Sequence, residues 1–169
     1  MSAPNPIKIC VLGEAAVGKS DFIGAFSGRD AENVRRIRSG AQVEVGQIEA
    51  DGVTRELVVW DILCADGGFV LETPYLTGVH GCIVVCDRTR RPTVTASRAL
   101  ISRLEDSFPG VSCLLAVNKS DLTDRAEVSA ADLERIRASG LRVIETSSHT
   151  GNNVKRCFEE ITTMVTGHG

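Results

Sequence analysis

Short apolar runs alternate with segments of helical periodicity along this chain. The first run, residues 7–12, is bounded by a proline and a glycine and predicts a short buried strand. From residue 19 to about 26, apolar residues recur at helical spacing, at Phe22, Ile23 and Phe26. The amino-terminal part of the chain is therefore predicted to fold as strand, glycine turn and helix.

Two alternating segments, residues 42–50 and 53–60, flank the dipeptide Asp51-Gly52. An Asp-Gly pair between such segments is a strong local signal for a two-residue hairpin, because both residues tolerate a positive φ. These segments are therefore predicted to pair as antiparallel strands.

Later apolar runs are short and continuous, as in strands buried on both faces, at residues 82–86, 113–117 and 141–144. Helical periodicity predicts helices over residues 93–107, 130–138 and 154–165. Strands that alternate with helices favour an α/β fold. We therefore expect a six-stranded, mostly parallel sheet with one antiparallel edge strand and helices on both faces.

The composition is that of an ordinary globular domain. The chain has 169 residues, of which 43% are hydrophobic and 24% charged. We expect one domain over residues 1–169, with an ordered core at about 6–166. Nineteen basic and 22 acidic residues give a formal net charge of −3, the wrong sign for nonspecific binding of nucleic acid.

Sequence signals for membranes and secretion are missing. No apolar run approaches the roughly 20 residues of a transmembrane helix. The first residues lack the features of a signal peptide and the glycine needed for myristoylation. The six cysteines include no C-x-x-C pair and are expected to be reduced thiols, neither disulfides nor metal ligands. We expect a cytoplasmic protein without a direct membrane anchor.

The segment between the first strand and the first helix has a phosphate-binding pattern, Gly13-Glu14-Ala15-Ala16-Val17-Gly18-Lys19-Ser20. It fits G-x-x-x-x-G-K-[ST] in the strand-turn-helix context that this motif requires. The glycines let the backbone turn its N–H groups inward as an anion nest at a helix start. Lys19 would then reach the β- and γ-phosphates of a nucleotide, and the Ser20 hydroxyl would ligate Mg²⁺.

A second polar motif, Asn118-Lys119-Ser120-Asp121, follows a buried strand at the carboxyl edge of the predicted sheet. A carboxylate at Asp121 accepts two hydrogen bonds from the ring N–H and the 2-amino group of guanine, whereas adenine has neither donor there. Asn118 would brace the base and phosphate loops, and the Lys119 stem would lie over the base plane. The motif therefore predicts guanine as the bound base.

With these motifs, the chain resembles the Ras superfamily of small GTPases, most closely the Rab and Ras branches, over nearly its whole length. It also has Glu145-Thr146-Ser147-Ser148 where the family has Glu-Thr-Ser-Ala, and Trp60-Asp61 at the family's Trp-Asp pair. The resemblance implies a P-loop G domain and a switch that binds GTP or GDP with Mg²⁺. Switch loops at about 27–46 and 61–75 would report the nucleotide state to regulator and effector proteins, and a monomer is expected.

The same resemblance implies particular site residues. Asp61 would hold Mg²⁺ through water, beside Ser20. Ser148 stands at the family's alanine position, which acts through its backbone N–H on the guanine carbonyl, so this change is mild. Further nucleotide contacts are expected at Asp21, Leu122 and Ser147. His149 follows the guanine loop and is a candidate contact to the base, with an ordinary surface histidine as the alternative.

The segment after Asp61 departs from the family's Asp-x-x-Gly-Gln pattern. Cys64 stands in the place of the glycine, and Ala65 in the place of the glutamine that orients the attacking water. Alanine has no polar atom, so it cannot position a water molecule. Asp66, one residue further on, is a candidate for this role, although its negative charge beside a triphosphate is unfavourable.

The first switch loop departs as well. In the family's register, the threonine that ligates Mg²⁺ falls at Arg38, and an arginine cannot ligate a cation. Two alternatives stay open: the ligand is lost, or a one-residue slip places the Ser39 hydroxyl there. Arg38 is also a candidate internal arginine finger, as in relatives that supply one in cis, with a solvated side chain as the alternative.

The binding half of the family's pattern is thus intact, and the hydrolytic half is altered. One function that stays open is a switch that hydrolyses GTP slowly, with Lys19, Arg38 and Asp66 as catalytic candidates. The alternative is a pseudo-GTPase, a nucleotide-bound interaction module with negligible turnover. A P-loop kinase or ATPase is disfavoured, because the segment 118–121 suits guanine.

Overall fold

Seven strands form one sheet in the computed structural model, which describes residues 5–28, 34–37, 41–62 and 74–167. The strands are β1 (Ile7–Leu12), β2 (Val34–Ile37), β3 (Ala41–Ala50), β4 (Val53–Ile62), β5 (Gly81–Asp87), β6 (Ser112–Asn118) and β7 (Val143–Glu145). Their order across the sheet is β2-β3-β4-β1-β5-β6-β7. Among these seven strands, β3 alone runs against the others, because its pairs with β2 and β4 are antiparallel and the remaining pairs are parallel.

The six predicted strands are present, and the prediction of a mostly parallel sheet with one antiparallel strand is confirmed. The predicted edge position of that strand needs correction, since β2 pairs with β3 and extends the sheet beyond it. The sequence of β2, Val-Arg-Arg-Ile, has neither an apolar run nor a clean alternation. Hydropathy therefore gave no signal for this strand.

The hairpin of β3 and β4 forms around the predicted dipeptide. Ala50 lies opposite Val53 in the register, and the two turn residues, Asp51 and Gly52, have φ angles of 53° and 73°. Two consecutive positive φ values are typical of the turn that matches the twist of a two-residue hairpin. The turn residues thus fix the register of the antiparallel pair.

The described helices are α1 (Lys19–Ser27), α2 (Arg91–Ser107), α3 (Ala130–Ala138) and α4 (Val154–Gly167), with 3₁₀ turns at Pro74–Leu76 and Thr123–Arg125. α2 begins two residues earlier than predicted, because Pro92 is suited to the first turn, where its missing N–H is not needed. Over the described ranges, no helix combines the length and the apolar character needed to cross a membrane.

Two apolar cores hold these helices against the two faces of the sheet. In the core beneath α1 and α4, the ring of Phe158 lies 5.6 Å from that of Phe22 and 3.9 Å from that of Phe26, between centroids. The other core contains Leu104 of α2 and Leu133 of α3. The prediction of helices on both faces is confirmed.

The described cysteines are small core residues. Cys10, Cys82, Cys86, Cys113 and Cys157 are buried free thiols. Burial raises the pKa of the thiols of Cys10, Cys86 and Cys157 to about 12, so they stay protonated. The sixth cysteine, Cys64, lies outside the described residues.

Gly81, at the start of β5, shows how closely α4 lies on the sheet. A Cβ at this position would come within 2.8 Å of Ile161 Cγ1 and 3.1 Å of Ile9 Cδ1. We predict that Gly81→Ala lowers the free energy of unfolding by about 1–2 kcal/mol, because overpacking forces these side chains apart. Urea unfolding measures the loss. Gly167→Ala, where an added Cβ meets open space, is the matched control, and equal stability of both variants would contradict this packing.

Candidate functional site

The loops predicted to bind a nucleotide follow strands that end at one edge of the sheet. Residues 13–18 follow β1, Asp61 lies near the end of β4, Asn118 ends β6, and residues 146–149 follow β7. The carboxyl ends of parallel strands meet at the edge where ligands of open α/β sheets bind. The fold therefore brings the separate motifs together.

The glycines of the phosphate loop, residues 13–18, are required by both backbone conformation and space. Gly13 and Gly18 have φ angles of 149° and 95°. A Cβ at Gly13 would lie 2.3 Å from the carbonyl oxygen of Val85, and one at Gly18 would lie 2.7 Å from Asn118 Nδ2. Both contacts are shorter than real Cβ atoms show, so a side chain at Gly13 would displace backbone and one at Gly18 would displace the Asn118 amide.

Lys19, the first residue of α1, is almost wholly buried against this loop. Its side-chain Nζ donates to the carbonyl oxygens of Gly13 and Glu14 at 2.8 and 3.0 Å. Carbonyls held in this way leave the N–H groups of the loop for an anion, with the positive end of the α1 dipole behind them. The arrangement suits a phosphate group.

Asn118 joins the phosphate loop to the loop after β7. Its buried amide nitrogen Nδ2 donates to Val17 O at 2.9 Å. Its Oδ1 accepts from the Ser148 backbone N–H at 3.0 Å, from the Ser148 hydroxyl at 3.1 Å and from the Thr146 hydroxyl at 3.3 Å. The Ser148 N–H, which was expected to donate to the guanine carbonyl, donates to Asn118 Oδ1 in this structure.

A cavity of about 690 Å³ lies between the phosphate loop and the loop after β6. This volume is in the range of small-molecule sites. Its lining includes predicted site residues from the phosphate loop, from α1, from the end of β6 and from the loops after β6 and β7. These residues are Gly18, Asp21, Asn118, Lys119, Asp121, Leu122, Ser148 and His149. Ser147 is buried beneath them, and its hydroxyl donates to Asp121 Oδ1 at 2.8 Å, which orients the carboxylate.

Ser20 and Asp61, the predicted Mg²⁺ ligands, are in direct contact. Ser20 Oγ donates to Asp61 Oδ2 at 2.9 Å. Burial raises the pKa of Asp61, against the lowering effects of the Ser20 hydrogen bond and the Lys19 charge. Within the described part of the chain, the buried Asp61 Oδ1 has no hydrogen-bond partner. Oxygen donors are what Mg²⁺ prefers, so this pair fits the metal.

Asp87, at the end of β5, was not singled out from the sequence. It is 1% exposed, and its Oδ2 lies 2.8 Å from Lys119 Nζ. Lys119 also donates to Ala16 O at 3.2 Å, so Asp87 holds a predicted base-binding lysine against the phosphate loop. The one sequence signal was a lone carboxylate at the end of a buried strand.

Of the three predicted catalytic candidates, the structure describes Lys19 alone. The predicted catalytic candidates Arg38 and Asp66, the predicted Mg²⁺ ligand Ser39, and the altered positions Cys64 and Ala65 all lie outside the described residues. Their roles stay predictions.

Known proteins match nearly the whole chain. The Ras family model matches residues 8–167. The chain belongs to the Ras family. This family member is 29% identical over 154 residues to Ras-related protein Rab-8A of Gallus gallus, covering 89% of the chain and 74% of the relative. It is 28% identical over 163 residues to Ras-related protein YPTC6 of Chlamydomonas reinhardtii, covering 94% of the chain and 74% of the relative.

A plant relative, Ras-related protein RABA5a of Arabidopsis thaliana, is 29% identical over 156 residues, covering 91% of this Ras-family chain and 71% of the relative. The chain is therefore a Rab-like small GTPase and a GTP-binding switch protein. Proteins of the Ras family bind guanine nucleotide with Mg²⁺ and act through regulators and effectors.

The Asn118 amide yields a test of the loop junction. We predict that Asn118→Ala lowers the free energy of unfolding by about 2–3 kcal/mol, because it leaves buried partners such as Val17 O without a hydrogen bond. Urea unfolding of nucleotide-free protein measures the change. Asn152→Ala, at an exposed position in the loop after β7, is the control and is expected to stay within about 0.5 kcal/mol of the wild type. Similar stability of the two variants would contradict the inference that Asn118 joins the phosphate loop to the loop after β7.

The Asp87 carboxylate yields a prediction for acid. Burial alone would raise its pKa, but hydrogen bonds from Lys119, Thr89 and Arg90 outweigh burial and lower the pKa from 3.8 to about 2. A depressed folded-state pKa stabilises the protein above about pH 4, and this stability is lost as the pH falls toward 2. We predict a contribution of about 2 kcal/mol at pH 6 and about half of that at pH 3.

Urea unfolding between pH 6 and pH 3 measures this contribution as the stability difference between the wild type and Asp87→Asn. The difference is expected to shrink as the pH falls. Asp124→Asn, at an exposed position in the turn after β6, should follow the wild type at each pH. A difference for Asp87→Asn that stays constant with pH would contradict the assignment.

Proposed function

We propose that this chain is a guanine-nucleotide switch that hydrolyses GTP slowly. The observation that carries the proposal is the buried amide of Asn118, which connects the phosphate loop at Val17 O to the loop of Ser148. These loops would hold opposite ends of one nucleotide. Their fixed spacing therefore supports a site that takes phosphates and base together.

In this proposal, the phosphates lie on the N–H groups of residues 13–18, and Lys19 contacts their oxygens. Ser20 would ligate Mg²⁺ and Asp61 would hold it through water, with Ser39 as a further candidate ligand. Mg²⁺ supplies charge neutralisation at the β- and γ-phosphate oxygens. The contact between Ser20 Oγ and Asp61 Oδ2 supports this placement, because it brings two oxygen donors from α1 and β4 together.

Asp121 selects the base. Its carboxylate, oriented by Ser147, accepts from the ring N–H and the 2-amino group of guanine. Adenine would leave this carboxylate without a donor, and sites built on such hydrogen bonds discriminate by on the order of 10⁴ or more. The Lys119 stem covers the base plane, with its ammonium held by Asp87 and Ala16 O.

Hydrolysis is proposed to be slow because Ala65 cannot orient the attacking water. Lys19 stabilises charge on the phosphates, and Arg38 and Asp66 are the remaining candidates for a direct catalytic role. The second candidate function, a pseudo-GTPase, is favoured by Ala65, by Cys64 at the glycine position and by Arg38 at the position of the Mg²⁺-ligating threonine. In that case the nucleotide is a structural part of an interaction module.

The chain is proposed to act as one G domain over residues 1–169. The segments at about 27–46 and 61–75 then serve as switch loops that contact regulators and effectors. A ligand shifts such loops only by its different affinity for their two conformations. The γ-phosphate is the chemical difference between GTP and GDP that supplies this shift.

A single-turnover assay tests this function. Purified protein is loaded with GTP and Mg²⁺, and the bound nucleotide is identified by chromatography over hours. We expect slow conversion to bound GDP and a rate at least about tenfold higher in Ala65→Gln, since a glutamine there can orient water. Persistent GTP in the wild type would favour the pseudo-GTPase.

Lys19→Ala provides the binding control for this assay. Loss of the buried ammonium should abolish nucleotide retention, whereas Lys155→Ala, at an exposed position on α4, should retain nucleotide like the wild type. A wild-type protein that retains no guanine nucleotide would overturn the proposed function.

A further inference from the structure

Arg90 lies at the turn between β5 and α2, where it is the N-terminal cap residue of the helix. Its guanidinium Nη2 donates to Ala15 O at 3.0 Å, and its Nε donates to Asp87 Oδ2 at 3.1 Å. Ala15 belongs to the phosphate loop. A cationic side chain that no sequence motif includes is thus bonded to the backbone of the proposed phosphate site.

This contact completes a pattern along the phosphate loop. Each carbonyl from residue 13 to residue 17 accepts a hydrogen bond from a side chain. Lys19 serves residues 13 and 14, Arg90 serves residue 15, Lys119 serves residue 16 and Asn118 serves residue 17. Lys19, Lys119 and Asn118 belong to the two sequence motifs, and Arg90 does not.

Holding the carbonyls has a consequence for anion binding. A loop binds phosphate when its N–H groups converge on one point. In a planar peptide unit the carbonyl and the N–H point in opposite directions, so a donor that holds the carbonyl also fixes the direction of the N–H. The Ala15 carbonyl shares a peptide unit with the Ala16 N–H. Arg90 therefore fixes the orientation of an N–H group in the centre of the loop.

The guanidinium of Arg90 is itself anchored. Asp87 Oδ2 accepts from Arg90 Nε and pairs with Lys119 Nζ, while Asp87 Oδ1 accepts from the backbone N–H and the hydroxyl of Thr89 at 2.8 and 2.7 Å. One buried carboxylate thus directs two cations onto consecutive carbonyls of the loop, at Ala15 and Ala16. Because Asp87 already restricts the Arg90 side chain, its hydrogen bond to Ala15 O costs less conformational entropy.

The adjacent arginine serves as a comparison. Arg91 begins α2, and its Nη2 donates to Glu127 O at 2.6 Å and to Asp132 Oδ2 at 3.0 Å. These contacts tie α2 to the chain before α3 and to α3 itself. Arg91 therefore carries the same charge at the next position in the chain but contacts a different part of the fold.

We propose that Arg90 is a positioning residue of the nucleotide site, which clamps the Ala15 carbonyl so that the phosphate loop keeps its anion-binding conformation and releases guanine nucleotide slowly. This inference rests on the proposed function. Arg90 acts through the loop backbone, so its effect falls on the phosphate end of the nucleotide and leaves base selection by Asp121 unchanged.

Nucleotide release tests the proposal. The full chain is loaded with a fluorescent GDP analogue and Mg²⁺, and release is followed after addition of excess unlabelled GDP. Arg90→Met keeps the length of the stem and removes every donor. We expect release about tenfold faster or more, as for loss of a charge-assisted hydrogen bond. Arg90→Lys should regain part of the retention, because one charged donor can still reach Asp87 or Ala15 O.

Arg91→Met is the matched control. It should release the analogue within about twofold of the wild-type rate, even though it loses the contacts to Glu127 and Asp132. The urea midpoint of nucleotide-free protein is measured for each variant. Arg90→Met is expected to change release much more than this midpoint, and the ratio of GDP to IDP affinity should stay at the wild-type value.

Three results would overturn the inference: wild-type release in Arg90→Met, a loss of folding stability in that variant that accounts for its faster release, or a changed ratio of GDP to IDP affinity. In each case a wild-type chain that retains GDP leaves the proposed function standing. A wild-type chain that fails to retain GDP overturns the proposed function itself, so the two failures are distinguishable.

Discussion

The site depends on the buried amide of Asn118. Its nitrogen donates to the phosphate loop at Val17 O, and its oxygen accepts from the backbone and hydroxyl of Ser148. Loops that leave β1, β6 and β7 are thereby joined, and separating them would strip buried polar groups of their partners away from water. The position of the Asn118 amide also requires a glycine at residue 18, because a side chain there would occupy the same space.

Around this junction, positive charge is gathered at the proposed phosphate site. Lys19, Lys119 and Arg90 all donate to carbonyls of the phosphate loop. Like charges at close range repel, and the buried Asp87 carboxylate offsets this repulsion by pairing with Lys119 and Arg90 through one oxygen. Cations held by contacts within the protein reduce the reorganisation that binding an anion requires.

Binding and hydrolysis make separate demands on a member of the Ras family. Binding is proposed to use the oxygen atoms of Ser20 and Asp61 and the ammonium of Lys19, and the structure brings these residues together. Hydrolysis also needs a group that orients water, and the proposal of slow hydrolysis rests on Ala65, which has no polar atom for this role. With the slow hydrolysis that we propose, the lifetime of the nucleotide-bound state would depend on release as much as on turnover, and the contacts of the phosphate loop would influence that release.

Local signals in the amino-acid sequence are enough to predict several elements and motifs of this protein. The strand, glycine turn and helix around residues 13–20 and the hairpin at residues 51–52 follow from short-range spacing and from residues that tolerate positive φ. The edge strand β2 and the clamp formed by Asp87 and Arg90 become apparent from the folded chain and from no local signal. Arg90 and Ala15 are 75 positions apart. The periodicity of apolar residues along the chain does not show which loops come together in the fold. Their contact exists because parallel strands deliver the ends of β1 and β5 to one edge of the sheet.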